Sequence, residues 1–495
     1  MHSLPLALLA FDLLLALGCG TNPAGVYSTR NPLVAEYIVN AHLTGEVQVD
    51  FGTDTSYGRS TAAYPITPGY SFPILVAGMK PSTTYHMRAK IMSSGTALWT
   101  DEDRVFRTGA IPILPPTIRV TNPSGGSAAQ SSGVELIMLG SSPASAFVTD
   151  RQGNVIWYYA SPDRNDVSLI KPMPNGHMLV GVHKASVAEI REITLEGDTV
   201  RALSSQNEAL HAKLQKLGCD CKFLFFHHDF VPLANGHTIV LGQTTKDFVN
   251  LPGYRGITTV IGDLLVDLDE KWQPVWFWST FDHLDVNRHL FGLPDWTHSN
   301  AVLYNPEDGN LLLSVRHQSW LLYIDYKNGS GSGDILWRLG NQGDFTLNTP
   351  DPSQWFYAQH FPSFITINGS QISFAVFDNG NFRLDSTGVP CGSGASACYS
   401  RAAIFHVDQN TKQAELLWEY LPGFFSFWGG SINQLQNGNL EFDMSQPFSP
   451  PRVGSRVMEV TQSTPAEVVW QLDIGGGFAY RAYRIPSLYP NVTWP

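Results

Sequence analysis

The chain has 495 residues, which exceeds one ordinary hydrophobic core and allows two or three domains, or one large repeat architecture with an accessory module. Only 15% of the residues are charged and 12% are aromatic, while 44 Gly and 32 Pro favour many short strands and turns over long helices. The net charge of −12, without any cluster of Lys or Arg, argues against a nucleic-acid partner, because phosphate binding needs a basic face. We therefore expect an all-β protein that acts on a small substrate or a neutral surface.

The first predicted segment, residues 1–19, is an export signal or lipoprotein signal peptide. It is nearly all apolar and ends in small residues before Cys19. Residues 16–19 resemble a bacterial lipoprotein cleavage site, in which Cys19 would carry a lipid anchor. No Lys or Arg precedes the apolar run and Asp12 interrupts it, so lipidation stays open. The segment predicts an exported protein, either periplasmic or held at the membrane or cell surface.

Residues 25–110 predict a small β-sandwich. Alternating segments at 46–51 and 85–91 are bounded by turn residues, and residues 79–85 are similar to the loop before a tyrosine in fibronectin type III modules. The Pro-rich residues 111–116 then predict a stiff linker. We expect this module to position or dock the rest of the chain and to carry no chemistry.

Residues 117–495 contain a loose repeat that predicts a six-bladed β-propeller. Each of six units ends in a strand that carries Trp or a substitute, and five units contain an Asn-Gly or Asp-Gly turn. The turns are Asn175-Gly176, Asn235-Gly236, Asp308-Gly309, Asn368-Gly369 and Asn437-Gly438. The spacing is too long and irregular for a solenoid, whereas propeller blades with insertions fit it. The first unit lacks such a turn, so we expect the final strand near residues 480–485 to complete it.

The remaining four cysteines form two close pairs. Cys391 and Cys398 flank a Gly/Ser-rich loop, and in an oxidising compartment they form a plausible local disulfide. Cys219 and Cys221 are separated by one residue and would bridge only with strain, which leaves their state open.

Three histidines occupy similar local settings, at residues 226–229 (Phe-His-His-Asp), 295–300 (Asp-Trp-Thr-His-Ser-Asn) and 357–360 (Tyr-Ala-Gln-His). Each precedes an Asn-Gly or Asp-Gly turn. Equivalent positions on different blades converge on the central channel of a propeller, so His228, His298 and His360 are expected at one channel mouth. Strand alternation would send His227 and His228 to opposite faces, and we favour His228 for the channel. A single such histidine is more often a hydrogen-bonded structural residue, but three in matching positions favour a site.

Arg316 interrupts an apolar strand only 18 residues after His298. Alone it would be an edge charge that discourages sheet pairing. Beside the histidines it predicts an anion site, since guanidinium groups suit planar arrays of oxygens such as sulfate or phosphate. Three histidines also permit a zinc site, but an adjacent guanidinium would repel a dication, and we predict no metal and no cofactor.

Several short motifs in this order resemble the arylsulfate sulfotransferases. They lie at residues 227–229, 295–300, 314–318 (Ser-Val-Arg-His-Gln), 337–340 (Trp-Arg-Leu-Gly), 359–360, 377–380 (Phe-Asp-Asn-Gly), 400–402 (Ser-Arg-Ala), 418–420 (Trp-Glu-Tyr) and 480–482 (Tyr-Arg-Ala). The resemblance covers roughly residues 113–495. It implies a six-bladed propeller behind an N-terminal β-sandwich, and transfer of a sulfuryl group from an aryl sulfate donor to a phenolic acceptor without 3′-phosphoadenylyl sulfate.

The resemblance also implies roles for single residues. His360 would be the nucleophile that becomes a sulfohistidine in a ping-pong mechanism, and His228, His298 and Arg316 would surround the sulfuryl group. Further contacts to substrate would come from His227, Asn300 and Trp296. Phe361 stands where the family often has Asp, so a carboxylate that orients His360 would have to come from elsewhere, with Asp378 and Asp229 as candidates.

Two other functions fit the same residues. An exported propeller that binds a ligand or a protein would use the channel histidines structurally, because a fold alone does not imply catalysis. Metal-dependent hydrolysis of sulfate esters would instead require a bound cation and no phenolic acceptor.

Overall fold

The computed structural model describes residues 24–122, 130–140, 145–184, 187–392, 397–445, 454–475 and 477–495. Within these ranges the protein is all-β, as predicted. The helices there are α1 (Glu208–Lys216), α2 (Thr280–His283) and short 3-10 helices at Arg316–Gln318, Lys327–Gly329 and Pro352–Gln354. None of the described helices is long and apolar enough to cross a membrane. The predicted signal segment 1–19, with Cys19, lies outside the described residues.

The N-terminal part consists of two sheets that share a hydrophobic cluster. Its strands are β1 (Gly25–Ser28), β2 (Ala35–Asn40), β3 (Gly45–Gly52), β4 (Arg59–Ser60), β5 (Tyr64–Ile66), β6 (Ser71–Val76), β7 (Thr84–Ser93), β8 (Thr96–Thr100) and β9 (Arg104–Arg107). One sheet contains β1, β2 and β6, and the other contains the remaining six strands. In β7 every second side chain is buried, from Tyr85 to Ile91, as expected for strands with one face on a core.

The rest of the described chain forms six sheets of four or five strands. The strands are β10 (Thr117–Thr121), β11 (Val134–Gly140), β12 (Ser145–Thr149), β13 (Val155–Tyr159), β14 (Asp166–Pro172), β15 (Met178–Lys184), β16 (Val187–Ile193), β17 (Thr199–Ser204), β18 (Phe225–Pro232), β19 (Thr238–Val249), β20 (Ile257–Leu268), β21 (Pro274–Ser279), β22 (Ser299–Tyr304), β23 (Leu311–Val315), β24 (Trp320–Ile324), β25 (Ile335–Leu339), β26 (Thr346–Leu347), β27 (His360–Asn368), β28 (Gln371–Asp378), β29 (Arg401–Asp408), β30 (Gln413–Tyr420), β31 (Ser431–Gln434), β32 (Leu440–Met444), β33 (Ser455–Val460), β34 (Val468–Gly475) and β35 (Phe478–Ile485).

Strand order follows the predicted units. The sheets run β35-β11-β12-β13, β14 to β17, β18 to β21, β22 to β25, β27-β28-β29-β30-β26 and β31-β32-β33-β34-β10. The predicted pairing of the last strand with the first unit is confirmed, because β35 pairs antiparallel with β11. The first strands of neighbouring sheets contact each other from β14 through β18, β22, β27 and β31 to β35, and β11 contacts β14. The architecture is propeller-like, and all five predicted Gly turns join a first strand to a second.

In four of the six sheets a repeated Trp of the outer strand links the sheet to the next one. The indole N–H of Trp157 donates to the carbonyl of Leu195, and three other outer-strand indoles bond the following sheet in the same way: Trp278 to Gly333, Trp337 to Gln409 and Trp470 to Arg151. The last of these returns to the first sheet. In the second sheet the substitute Arg201 does the same, because its Nη1 donates to the carbonyl of Glu270. The sequence repeat therefore reflects one type of inter-sheet contact that recurs in five of the six sheets.

The chain end packs on the N-terminal sheets. The indole of Trp494 donates to the carbonyl of Ser60, and the hydroxyl of Tyr489 donates to the carbonyl of Leu75. A Cβ on Gly78 would overlap the Trp494 ring, at 2.4 Å from its Cη2 atom. Both cysteine pairs are joined in the structure, Cys391 to Cys398 and Cys219 to Cys221.

Asp443, on β32, is a buried carboxyl group whose protonation state affects the stability of the folded protein. Its Oδ1 accepts from Ser431 and from the Ala482 N–H, its Oδ2 has no partner among the described residues, and burial raises the pKa of the carboxyl to about 8. The folded protein thus keeps a proton that the unfolded chain releases above about pH 4. The stability this proton contributes is complete below about pH 4 and is lost as the pH rises through about 8.

Asp443→Asn keeps this group uncharged at every pH. We expect the free energy of unfolding at pH 8 to exceed that of the parent protein by several kcal/mol, since each pH unit between about 4 and 8 contributes about 1.4 kcal/mol, with no gain near pH 4. Urea unfolding at the two pH values measures this difference. A gain of the same size at both would contradict the assignment.

Candidate active site

The three predicted histidines are all delivered by irregularities at the start of a first strand. His228 lies in β18, where pairing with β19 is broken between Phe226 and Phe230, and its φ is +53°. His298 precedes β22 with a φ of +48°, and β27 begins at His360 with a broken register. A β-bulge re-aims a side chain, and a positive φ at a residue other than Gly costs about 1–3 kcal/mol. A positive φ therefore redirects His228 and His298, while His360 is the last paired residue before a break in its ladder.

These irregularities bring the histidines together. The ring centroids of His228 and His298 are 4.7 Å apart, and the Tyr480 ring lies 5.7 Å from His228 and 6.2 Å from His360. His317 stacks on His298 at 4.6 Å. Arg316, the residue before His317, is close enough to His360 to affect its protonation. The structure therefore gathers His228, His298, His360 and Arg316 at one place.

His360 is held as a neutral ring of one tautomer. Its Nδ1 is 2.7 Å from Oδ1 of Asn379, and Nδ2 of Asn379 donates to the carbonyls of Ser426 (2.7 Å) and Gly429 (3.0 Å). Since both amide hydrogens are engaged, Oδ1 must accept and Nδ1 must carry the proton. Burial, and next the charge of Arg316, lowers the pKa of His360 well below its usual value. Nε2 therefore has a lone pair, which the Gly429 N–H reaches at 3.1 Å.

The orienting group is an amide and not either predicted carboxylate. Asp378 accepts from Arg383 (2.6 Å), Arg401 (2.8 Å) and the Tyr357 N–H (2.9 Å), which leaves it no contact with His360. Asp229 is likewise occupied, by Lys171 at 2.6 Å, Arg481 at 3.3 Å and the Val302 N–H at 2.9 Å. Both expectations are wrong, because each carboxylate neutralises buried cations of the fold.

Arg316 is a buried cation without a carboxylate. It is 8% exposed, its Nη2 donates to the carbonyl of Phe427 at 2.9 Å, and its Nε has no partner in the described part of the chain. Among the other arginines of the described ranges, the buried Arg191, Arg383, Arg401 and Arg481 each contact a carboxylate. The partly buried Arg59 and Arg288 bond carbonyl oxygens instead. Burial lowers the pKa of Arg316 to about 10, so it is still charged at neutral pH. Such a charge calls for an anion from outside the protein.

His317, which sequence reasoning missed, fixes this guanidinium. Its Nδ1 donates to the carbonyl of Asp295 at 2.7 Å, and its Nε2 accepts from Nη1 of Arg316 at 2.6 Å. Burial, then the charges of His298 and Arg316, lowers the pKa of His317 to about 4. A neutral ring can accept from a guanidinium, whereas an imidazolium would repel it. The sequence signal that could have identified His317 is its position directly after Arg316.

His298 pairs with Asp295, whose Oδ2 is 2.6 Å from Nδ1 of the ring. Burial alone would raise the pKa of Asp295, but the hydrogen bond with His298 and the charge of that ring lower it overall. A carboxylate on Nδ1 fixes the tautomer and supports a positive ring, which suits a general acid or base. The ligand atoms of Asp295, His298 and His317 also lie within 4.8 Å of one another, so these three residues could hold a metal ion.

His227 does not point away from His228, contrary to the expectation from strand alternation. The Nδ1 atoms of the two rings are 2.7 Å apart, because the positive φ at His228 breaks the alternation. Nε2 of His227 lies 3.3 Å from Asp263, which also accepts from Thr297 and from the Ser299 N–H. His227 thus stands between a buried carboxylate and His228.

Of the two other predicted contacts, Asn300 supports the site and Trp296 lies outside it. Nδ2 of Asn300 donates to the carbonyl of Gln359, the residue before His360, at 2.7 Å. Trp296 is 1% exposed, packs in a hydrophobic cluster with Leu251, and donates its N–H to the carbonyl of Arg288. Its predicted contact with substrate is replaced by a packing role.

Aromatic rings surround the histidines. Phe291 stacks on His317 at 4.3 Å and contacts the half-exposed Phe382 at 4.9 Å. Trp428 contacts Phe478 at 4.8 Å and Tyr480 at 6.4 Å. The hydroxyl of Tyr480 is buried without a partner among the described residues, and burial raises its pKa to about 12. The arrangement combines an anion site, a neutral imidazole and apolar rings.

Comparison with known proteins gives one family match. The family model described as Arylsulfotransferase (ASST) matches residues 124–481, well over half of the chain. No curated protein matches the chain. Similar solved structures include a streptogramin B lyase (11% identity, covering 73% of this chain and 98% of that one, TM-score 0.31), YCF48 bound to D1 peptide (10%, 92% and 99%, TM-score 0.30) and virginiamycin B lyase from Staphylococcus aureus with quinupristin (10%, 72% and 98%, TM-score 0.25). Likenesses at these TM-scores carry no argument about function.

Proposed function

The chain belongs to the arylsulfotransferase (ASST) family, and we propose that it moves a sulfuryl group from an aryl sulfate ester to a phenol by a ping-pong mechanism through a sulfated His360. The observation that carries this proposal is the buried guanidinium of Arg316, which has no carboxylate partner and acts on a neutral His360. An anionic ester would supply the missing negative charge and bring its sulfur to the imidazole.

The first half-reaction forms the covalent intermediate. The Nε2 lone pair of His360 gives up its hydrogen bond with the Gly429 N–H and attacks sulfur. The bond between sulfur and the phenolic oxygen breaks, and its electron pair leaves with that oxygen. Arg316 stabilises the negative charge that spreads over the sulfuryl oxygens. His298, supported by Asp295 at 2.6 Å, donates the proton that the departing phenolate takes up.

The second half-reaction reverses these steps with a different phenol. The acceptor oxygen attacks sulfur, the N–S bond breaks, and the electron pair returns to Nε2 while His298 takes the phenolic proton. Splitting the transfer into two steps is the usual gain of nucleophilic catalysis. A phenol of pKa about 10 leaves more readily than an alkyl alcohol, so aryl donors are preferred.

Aromatic side chains support a phenolic substrate. Phe291 and Phe382 on one side, and Trp428 and Phe478 on the other, offer faces and edges on which a phenyl ring packs. The unpartnered hydroxyl of Tyr480 is a candidate donor to a sulfuryl oxygen.

The architecture that we propose for this enzyme is a six-bladed propeller over residues 117–495, joined by the linker 111–116 to a fibronectin-like sandwich over residues 25–110. The cyclic contacts of the first strands and of the outer-strand Trp residues support it. We also propose that the protein is exported, with residues 1–19 as its signal and Cys19 as a candidate lipid anchor.

The direct test is transfer between two phenols. The enzyme is mixed with 4-nitrophenyl sulfate and phenol, and both nitrophenol release and phenyl sulfate formation are followed. We expect equal amounts of the two products, and parallel double-reciprocal lines when donor and acceptor are varied. Absence of turnover with every aryl sulfate tried would favour a non-catalytic binding module.

The metal-dependent alternative rests on the cluster of Asp295, His298 and His317. It predicts loss of activity with chelators and nitrophenol release without an acceptor. Against it, the guanidinium of Arg316 lies 2.6 Å from His317 and would repel a dication. We expect activity to survive EDTA and to require the phenol.

Asp295→Asn should separate donors by the basicity of their leaving groups. Without the carboxylate the protonated and correctly oriented form of His298 is less populated, so turnover of phenyl sulfate should fall about 100-fold. The more acidic 4-nitrophenol depends less on protonation when it leaves, so turnover of 4-nitrophenyl sulfate should fall much less. Steady-state kcat/KM for the two donors measures this, with Asp282→Asn, at an exposed position, as the control. If kcat/KM fell by the same factor for both donors, His298 would not be the general acid.

A further inference from the structure

Asn379 is the residue that contacts Nδ1 of His360, and its other hydrogen bonds fix which amide atom faces the ring. Asn379 is fully buried directly after β28, and both hydrogens of its Nδ2 are engaged by the carbonyls of Ser426 and Gly429. Its Oδ1 therefore faces Nδ1 of His360 at 2.7 Å as an acceptor. His360 itself is 2% exposed, so this amide, and not water, is the partner of the Nδ1 proton.

An amide oxygen accepts a hydrogen bond but does not take the proton at neutral pH, unlike a carboxylate. No carboxylate substitutes for it, because neighbouring Asp378 is held by Arg383 and Arg401. The cationic groups that act on the ring, Arg316 and Arg481, would favour loss of a proton from a positive imidazolium. Whether the proton stays on Nδ1 is thus decided by what faces that atom.

We propose that Asn379 is a positioning residue that keeps the Nδ1 proton on His360 throughout the reaction, so that the sulfated ring stays an imidazolium and hands its sulfuryl group on. The inference rests on the proposed sulfohistidine mechanism. It adds a reason why the covalent intermediate is reactive.

The balance of atoms and charge shows the consequence. Attack by Nε2 while Nδ1 keeps its proton gives a positive ring bonded to an SO3⁻ group, with no net charge. When a phenol attacks, the N–S bond breaks and its electron pair returns to Nε2, so the leaving group is a neutral imidazole. If a base removed the Nδ1 proton first, the leaving group would be the far more basic imidazolide. The adduct would then be slow to transfer.

Asn379→Asp tests this by placing a carboxylate, which can act as a base, next to Nδ1 of His360. A single-turnover experiment with excess enzyme and 4-nitrophenyl sulfate measures sulfation as nitrophenol release. A chase with phenol then measures transfer as loss of the mass of one SO3 group from the peptide containing His360. We expect the adduct of the N379D variant to persist, with the transfer step slowed about 100-fold more than the sulfation step.

Two comparisons separate this from a structural defect. Asn379→Ala removes the orienting bond without adding a base, and it should slow both steps by similar factors. Asn305→Asp places a carboxylate at another buried Asn, bonded to Tyr323 away from the histidines, and should leave both steps unchanged. If N379D slowed both steps equally, as N379A does, or left transfer as fast as in the parent enzyme, the inference would be overturned.

A measurement on the parent enzyme covers the case in which N379D does not fold. In the sulfated enzyme prepared without phenol, the ¹⁵N signal of Nδ1 of His360 should stay in the protonated range between about pH 6 and pH 9, well above the ordinary range of histidine. A deprotonated Nδ1 there would reject the proposal. Failure of the sulfohistidine mechanism itself is recognised separately, because the parent enzyme would then show no adduct at all.

Discussion

Replacing His360 by Ala should lower turnover of 4-nitrophenyl sulfate with phenol by about 10⁴-fold or more, and should abolish the sulfated adduct. The ring is neutral, its Nδ1 is fixed by Asn379, and its Nε2 lone pair meets a backbone N–H, whereas the lone pair of the similarly fixed His317 is held by the guanidinium of Arg316. Neither His298, bonded to Asp295, nor His228, bonded to His227, is held in that way. We therefore expect no neighbour to take over the attack.

A matched control is His406→Ala. His406 is a partly buried histidine on β29 that bonds Gln371 and Ser373 and has no contact with the site residues described above. It should retain parental turnover and adduct formation. Adduct formation that survives His360→Ala would move the covalent step to another residue, and turnover within tenfold of the parent would sink the sulfohistidine mechanism.

Much of the fold is predictable because one contact is repeated. Trp157 and Trp470 stand near opposite ends of the domain sequence, yet each bonds the turn of the next sheet, so selection for that contact leaves a visible mark in the chain. The Gly turns are visible for a related reason, since positions such as Gly236 and Gly438 have a positive φ that Gly adopts without strain. Both signals depend on local chemistry.

The site is only partly predictable, because its details depend on breaks in those same rules. His227 and His228 were assigned to opposite faces on the assumption of regular alternation, which the bulge in β18 removes. His317 acts on the adjacent Arg316 through a neutral ring, and Asn379 acts on His360 of the neighbouring strand through a neutral amide. Neither a histidine nor an asparagine can be recognised from the sequence alone as having such a role. The sequence therefore points to the carboxylate of Asp378, although the neighbouring Asn379 is the residue that contacts His360.

Arg316→Met should change activity and stability in opposite directions. The guanidinium is buried without a carboxylate, so removing it relieves an uncompensated charge in the free enzyme. We expect the free energy of unfolding to rise by about 1 kcal/mol or more, measured by urea unfolding. At the same time kcat/KM for aryl sulfates should fall about 10³-fold, since the charge that develops on the sulfuryl oxygens loses its stabiliser.

Arg456→Met is the matched control. Arg456 is also largely buried but pairs with Asp473 at 2.7 Å, so its loss should lower stability and leave kcat/KM near the parental value. Arg316→Lys should restore only part of the activity, because an ammonium cannot reproduce the planar fork that bonds His317 and the Phe427 carbonyl. If the R316M variant were both less stable and fully active, Arg316 would be a structural cation.

Inorganic sulfate allows a third test of this prediction, because it can supply from solution the anion that pairs with Arg316. An anion that binds the folded state and not the unfolded chain raises stability in proportion to the logarithm of its concentration. Above the general salt effect seen in R316M, sulfate should stabilise the parent enzyme and inhibit it competitively with 4-nitrophenyl sulfate. The same charge that weakens the free protein then explains its affinity for a sulfate ester, since the substrate supplies the partner that the buried Arg383, Arg401 and Arg481 find in a carboxylate.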